Sequence, residues 1–227
     1  MKNVLITGAS RGIGFATAKK FLKEGYVVIC ASRNLDPLYK LQEEYPATCI
    51  IRMLDIQNES SIKEFVEQIS VYQLDIIIHN AGGIVNKPFQ EISKSDLYLC
   101  YEVNVLGPFL LTQRLLPLLK SDAHSVFISS MGGFQGSQKF PGLTAYSSSK
   151  ASIVSLTECL QEEFKETDLT FNCLCLGAVQ TEMLENAFPG YEAPLKSEQI
   201  ATYIFNFTTQ DATFIRGKII PVSRSTP

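Results

Sequence analysis

Thr7-Gly8-Ala9-Ser10-Arg11-Gly12-Ile13-Gly14 joins the short apolar run Val4-Leu5-Ile6 to an amphipathic stretch over residues 12–24. A strand, a tight glycine turn and a helix in that order open a βαβ unit. Each glycine has a physical use there. Gly8 permits the turn, Gly12 lets the backbone approach a pyrophosphate, and Gly14 allows the helix to pack close to the sheet. The helix start then offers free N–H groups and a partial positive charge to phosphates. A glycine turn alone is a weak sign. Its place, directly after a strand and directly before an amphipathic helix, makes dinucleotide binding the preferred reading, with Ser10, Arg11 and Ile13 among the contacts.

The rest of the chain repeats the pattern. Continuous apolar runs at 26–31, 48–54, 74–79, 125–129, 170–176 and 218–222 read as further strands. Helical patterns fall between them at 35–45, 59–70, 95–120, 145–165 and 198–207. Apolar strands alternating with helices predict a parallel sheet covered on both faces. The expected fold is a Rossmann-type, doubly wound α/β sheet of about seven strands. No internal repeat, low-complexity tract or linker interrupts it, so residues 1–227 are expected to form a single dinucleotide-binding and catalytic domain.

Composition narrows the function. Of 227 residues 45% are hydrophobic, which is enough for a substantial core, and the net charge is −3. Nucleic acid is an unlikely partner for such a chain, because phosphate binding needs clustered positive charge. No run of 18 apolar residues suggests a membrane span. A strand pattern already running at Lys2 leaves no room for a signal peptide, so a cytoplasmic location is expected. The six cysteines, Cys30, Cys49, Cys100, Cys159, Cys173 and Cys175, are scattered and mostly inside apolar runs, as suits reduced thiols. Only His79 and His124 are available as histidine ligands or bases, so a zinc site and a Ser–His–Asp hydrolase are both poorly supported.

The end of the second strand selects the cofactor. An NAD site usually carries a carboxylate there for the ribose 2′-hydroxyl. Ser32-Arg33 stands in that place instead. Arg33 and Arg11 together would suit a 2′-phosphate, so NADP(H) is favoured over NAD(H).

A second stretch, Thr144-Ala145-Tyr146-Ser147-Ser148-Ser149-Lys150, places a tyrosine and a lysine one helical turn apart. Taken with the glycine turn, the chain resembles the short-chain dehydrogenase/reductase family along essentially its whole length. Asp55-Ile56 resembles the pair that contacts adenine in that family. His79-Asn80-Ala81-Gly82 is similar to its Asn-Asn-Ala-Gly motif, with His79 in place of the first asparagine. Asn104 matches the asparagine of the long helix, Ser129-Ser130 the serine motif, and Tyr146-x3-Lys150 the active-site pair.

The resemblance implies an NADP-dependent carbonyl reductase or alcohol dehydrogenase acting on a small substrate, assembled as a homodimer or homotetramer through its long helices. Tyr146 would give or take the proton. A neighbouring Lys150 ammonium would lower its pKa, and Lys150 would also bind the nicotinamide ribose. Ser130, the second serine, would polarise the carbonyl, and Asn104 would hold a relay water. Asn80, Ala81, Gly82, Gly177, Val179 and Thr181 complete the implied cofactor contacts. His79 reads as a structural residue.

Three departures stand out. Residues 132–142 make a long loop between Ser130 and Tyr146, Leu176-Gly177 replaces the family's Pro-Gly, and the tail at 223–227 lacks the usual glycines. Phe134, Phe140, Met183, Phe188 and Tyr191 are candidates for an apolar substrate pocket. Two other functions compete: reduction of 3-oxoacyl groups on an acyl carrier, and NADP sensing without catalysis, against which the intact Tyr–Lys pair argues.

Overall fold

The computed structural model describes residues 1–211 and 214–224; Ser225, Thr226 and Pro227 of the tail lie outside the described residues. Nine strands and eight α-helices follow one another along these residues. They are β1 (Asn3–Thr7), α1 (Gly12–Lys23), β2 (Val27–Ser32), α2 (Asp36–Glu44), β3 (Cys49–Met53), α3 (Glu59–Gln68) and β4 (Leu74–His79). Next come α4 (Lys94–Tyr101), α5 (Gly107–Leu115), β5 (Leu119–Ser130), α6 (Thr144–Glu163) and β6 (Thr170–Leu176). The chain finishes with β7 (Val179–Gln180), α7 (Glu182–Ala187), β8 (Leu195–Lys196), α8 (Ser197–Asn206) and β9 (Ile219–Val222).

Seven strands form one sheet in the order β3-β2-β1-β4-β5-β6-β9. Every pairing in it is parallel. The strand order reverses direction between β1 and β4, and ligands of such sheets bind at the carboxyl ends flanking that point. The Rossmann-type expectation holds.

Alternation along each strand sorts the core into two faces. Val4, Ile6, Val28, Ile76, Ile78 and Val126 pack against α1, α2 and α8 through Ala18, Phe21, Leu38, Ile200 and Ile204. Leu5, Ile29 and Ile77 face the other way, onto Ile62 and Phe65 of α3 and Leu111 and Leu115 of α5. Phe127, Phe171 and Cys173 meet Ile153 of α6 on that same side. Fully burying each such side chain stabilises by roughly 1.5–3 kcal/mol.

The region 95–120, expected as one long helix, is divided. A wider π-helical turn, Glu102–Leu106, separates α4 from α5. Pro108 has no N–H to aim at the Asn104 carbonyl, so the α pattern is broken there. Gly107 fits the break closely, since a Cβ on it would lie 2.4 Å from the Ile56 carbonyl. Pro117 then ends the helical run, and β5 begins at Leu119, well before the expected 125. The early part is held by Leu119 opposite Leu74 and by Lys120 against Asp75 at 2.7 Å. The sequence patterns predict no element between residues 176 and 198, where the short β7, α7 and β8 lie.

Five of the six cysteines are buried and all are free; only Cys159 is exposed. Among the described residues no cluster of three metal-ligating side chains exists, and no helix is long and apolar enough to cross a membrane.

Candidate active site

The glycine turn lies against the end of β4. Gly8 and Gly12 have φ of +67° and +54°, values that favour glycine. A Cβ on Gly8 would meet the Ala81 Cα at 2.9 Å, and one on Gly14 would meet the Gly8 carbonyl oxygen at 2.3 Å. Thr7, the first motif residue, stitches the two loops together. Its Oγ1 accepts from the N–H groups of Asn80 and Ala81, each at 3.0 Å. The Asn80 amide donates in return to the Thr7 and Gly8 carbonyls at 3.0 and 3.2 Å.

These contacts leave the start of α1 without a side-chain cap and without an acidic residue in its first turn. Glycine-lined backbone before an uncapped, twelve-residue helix fits the pyrophosphate of a dinucleotide. The residues present therefore suit a dinucleotide cofactor.

The two arginines do not converge in this structure. Arg11 pairs with Glu182 at 3.1 Å, whereas Arg33 donates to Gln57 at 3.4 Å. Ser32 donates to Ser10 at 2.8 Å. Asp55 accepts from the Gln57 N–H at 3.1 Å, and Ile56 is buried in the core.

Tyr146 and Lys150 stand on the first turns of α6, facing the end of β5. Lys150 is 5% exposed and donates from Nζ to the Ile128 carbonyl at 2.9 Å. Burial lowers its ammonium to about 8, opposed by the thiols of Cys173, Cys175 and Cys100. Its Nζ lies 5.9 Å from the centre of the Tyr146 ring.

Burial pushes the Tyr146 phenol up, and a hydrogen bond with the Ser130 side chain opposes that rise. The direction is upward, opposite to the lowering expected from a lysine neighbour. Burial acts on both groups: it disfavours the phenolate, and a lysine lowered to about 8 has lost its charge before such a phenol ionises. The adjacent serines of β5 divide their tasks. Ser130 is half-buried beside Tyr146, with Oγ accepting from the Gly132 N–H at 3.1 Å. Ser129 is buried and donates to the Lys150 carbonyl at 2.8 Å.

Asn104, inside the π-helical turn, is buried and its amide is fully engaged. It accepts from the Gly83 N–H at 2.9 Å and donates to the Gly83 carbonyl at 2.8 Å and to Ser149 Oγ at 2.9 Å. Ser149 in turn donates to the Tyr146 carbonyl at 2.7 Å. Ser149, which no motif of the sequence singles out, ties the asparagine to the tyrosine's own turn. A Cβ on Gly82 would come within 3.4 Å of Asn104 Oδ1 and 3.5 Å of Lys150 Nζ. That glycine leaves the approach to both open. His79 is buried, contacts Thr112 at 3.3 Å through Nε2 and stacks on Phe127 at 4.4 Å.

At the far side of the site, Thr181 caps α7 by accepting from the Leu184 N–H at 3.2 Å. The Gly177 N–H donates to the Val222 carbonyl at 2.9 Å, and Val179 is buried. The long loop of residues 132–142 folds onto its own backbone. Ser137 and Lys139 both donate to the Phe134 carbonyl, at 2.9 and 2.6 Å. Of the expected pocket aromatics, Phe134 packs into the core, Phe140 and Tyr191 are about half exposed, and Met183 and Phe188 are half-buried. Two hollows, of about 340 and 260 Å³, border Thr144 and Ser148; neither is lined by Tyr146 or Lys150.

Residues 2–192, which include the glycine turn, the serines and the Tyr–Lys pair, match the family model for short chain dehydrogenases. The chain belongs to the short-chain dehydrogenase/reductase family. It is therefore an oxidoreductase with an NAD(P)-binding fold. Among its relatives, the 3-oxoacyl-[acyl-carrier-protein] reductase of Thermotoga maritima is 29% identical over 97% of this chain and 96% of that protein. A short-chain dehydrogenase of Shigella flexneri 2a, solved with NADP, is 30% identical and superposes with a TM-score of 0.88 over 97% of this chain and 96% of that one. A 4-hydroxyisoleucine dehydrogenase solved with NADH is 24% identical, with a TM-score of 0.87 over 98% and 97% of the two chains, and shares the fold.

Proposed function

We propose that this family member reduces a carbonyl group of a small, hydrophobic substrate with NADPH, or oxidises the corresponding alcohol with NADP⁺. The observation that carries the reading is the meeting of Tyr146, Ser130 and Lys150 beside the glycine turn. The bound cofactor would supply or accept the hydride, and the chain's own residues do the rest. Tyr146 gives the proton to the carbonyl oxygen. Burial keeps its phenol protonated, the form that a proton donor in the reductive direction needs. Ser130 donates a hydrogen bond to the same oxygen and stabilises charge developing there. Lys150, now on the Ile128 carbonyl, would bind the ribose of the cofactor, with its charge near Tyr146. Asn104 holds Gly83 and Ser149 in place, and would hold the relay water that the family resemblance implies.

The glycine turn, with Ser10, Arg11, Ile13, Ser32, Arg33, Asp55, Ile56, Asn80, Ala81, Gly82, Gly177, Val179 and Thr181, would hold the dinucleotide. NADP(H) is preferred because two guanidinium groups, and no carboxylate, follow from the turn and the end of β2. Consumption of NADPH with a panel of ketones and aldehydes tests the reading; binding without turnover on every compound would favour a sensor instead. Ser130→Ala is expected to lower kcat about 10²-fold. An unchanged kcat would remove Ser130 from the chemistry.

The full-length likeness to a 3-oxoacyl-[acyl-carrier-protein] reductase supports a second reading, reduction of 3-oxoacyl thioesters. Acetoacetyl-CoA in the same assay separates the two. The half-exposed Leu97, Tyr98, Leu106 and Phe109 on α4, the π-helical turn and α5 support assembly as a homodimer or homotetramer. A monomer by sizing chromatography would sink that part.

A further inference from the structure

The Arg11–Glu182 pair joins the glycine turn to α7 across 171 residues of sequence. The start of α7 is seated on that turn: a Cβ on Gly12 would touch Thr181 Cγ2 at 3.3 Å, and Thr181 caps the helix. Glu182, the next residue, is thereby held within reach of Arg11. The other carboxylate of this turn, Glu185, faces away and accepts from the Gly190 N–H at 3.1 Å and from Gln180 at 3.5 Å. Arg33 meets only the neutral Gln57 at 3.4 Å.

We propose that Glu182 reduces the preference for NADP(H) by occupying Arg11 in place of the 2′-phosphate of that cofactor. The inference rests on the reading that Arg11 binds that phosphate. One guanidinium cannot keep both partners at full strength, so the phosphorylated cofactor must displace the Glu182 carboxylate. NAD(H), lacking the phosphate, leaves the pair intact. Glu182 therefore weakens NADP(H) selectively. Because it opens α7, the same displacement links binding at the adenine end to the segment expected near the nicotinamide. Both partners are more than half exposed, so the pair contributes a modest amount, and its effect on affinity is of that size.

Equilibrium titration of the full chain with 2′,5′-ADP and with 5′-AMP, at low ionic strength, reads this without turnover. Glu182→Gln is expected to tighten 2′,5′-ADP about three-fold and to leave 5′-AMP unchanged. Arg11→Ala should weaken 2′,5′-ADP about ten-fold or more and cancel the gain in the double variant. Weakening by Arg11→Ala with no gain from Glu182→Gln would overturn the role of Glu182 alone. No discrimination lost in Arg11→Ala would overturn the phosphate reading beneath it. Far-ultraviolet circular dichroism confirms that both variants are folded.

Discussion

Tyr146→Phe is expected to lower kcat for carbonyl reduction about 10³-fold while changing the NADPH dissociation constant less than two-fold. Phenylalanine keeps the ring, and with it the packing against Val85, Cys100 and Ala145. It removes only the hydroxyl, the proton that the substrate oxygen needs. Ser130 loses a partner but keeps its bond from the Gly132 N–H at 3.1 Å, so the end of β5 should hold its shape. Loss of turnover with binding retained is the signature of a proton donor. A variant that turns over like the parent would move the proton source elsewhere.

A second large effect concerns acid. His79 and His124 are both buried, and desolvation lowers their imidazoles to about 3 and about 4. In the unfolded chain each titrates near 6.5. Between those values the unfolded state binds more protons, so stability falls as the pH falls. What neutral burial contributes is present above about pH 6.5 and is lost progressively towards the folded values. Between about pH 7 and about pH 5 the two histidines should cost roughly 4 kcal/mol of unfolding free energy. His79→Asn, which restores the family's residue at that place, should remove about half of this slope. Urea unfolding at several pH values measures it, and a stability that stays level over this range would contradict the assignment of buried neutral rings.

The fold was legible because its signals are local. A parallel sheet buried on both faces writes each strand as a continuous apolar run, and seven such runs became seven strands in one sheet. The limits of legibility were local as well. From Leu115 to Leu119 apolar residues continue on both sides of Pro117 while the chain passes from α5 to β5, so periodicity could not place the start of the strand. The six residues of α7 are too few for a helical period to emerge.

In the site, Tyr146 and Lys150 were readable because a spacing of four sets them on one helix face. Asn104's hold on Gly83 and Ser149, and Arg11's on Glu182, join residues far apart in sequence and exist only once the chain has folded. The same holds for the direction of the Tyr146 shift. A neighbouring lysine suggested a lowered phenol, but the burial of both groups decides otherwise.

The most direct test of the central claim is isotope transfer. The protein is incubated with a hydrophobic ketone and NADPH carrying deuterium at the nicotinamide C4 hydride position, and the product is read by mass spectrometry. Transfer of one deuterium to the carbinol carbon, lost in Tyr146→Phe, is the predicted result. Bound NADPH with no deuterium in any product across the ketone, aldehyde and 3-oxoacyl thioester panel would contradict it.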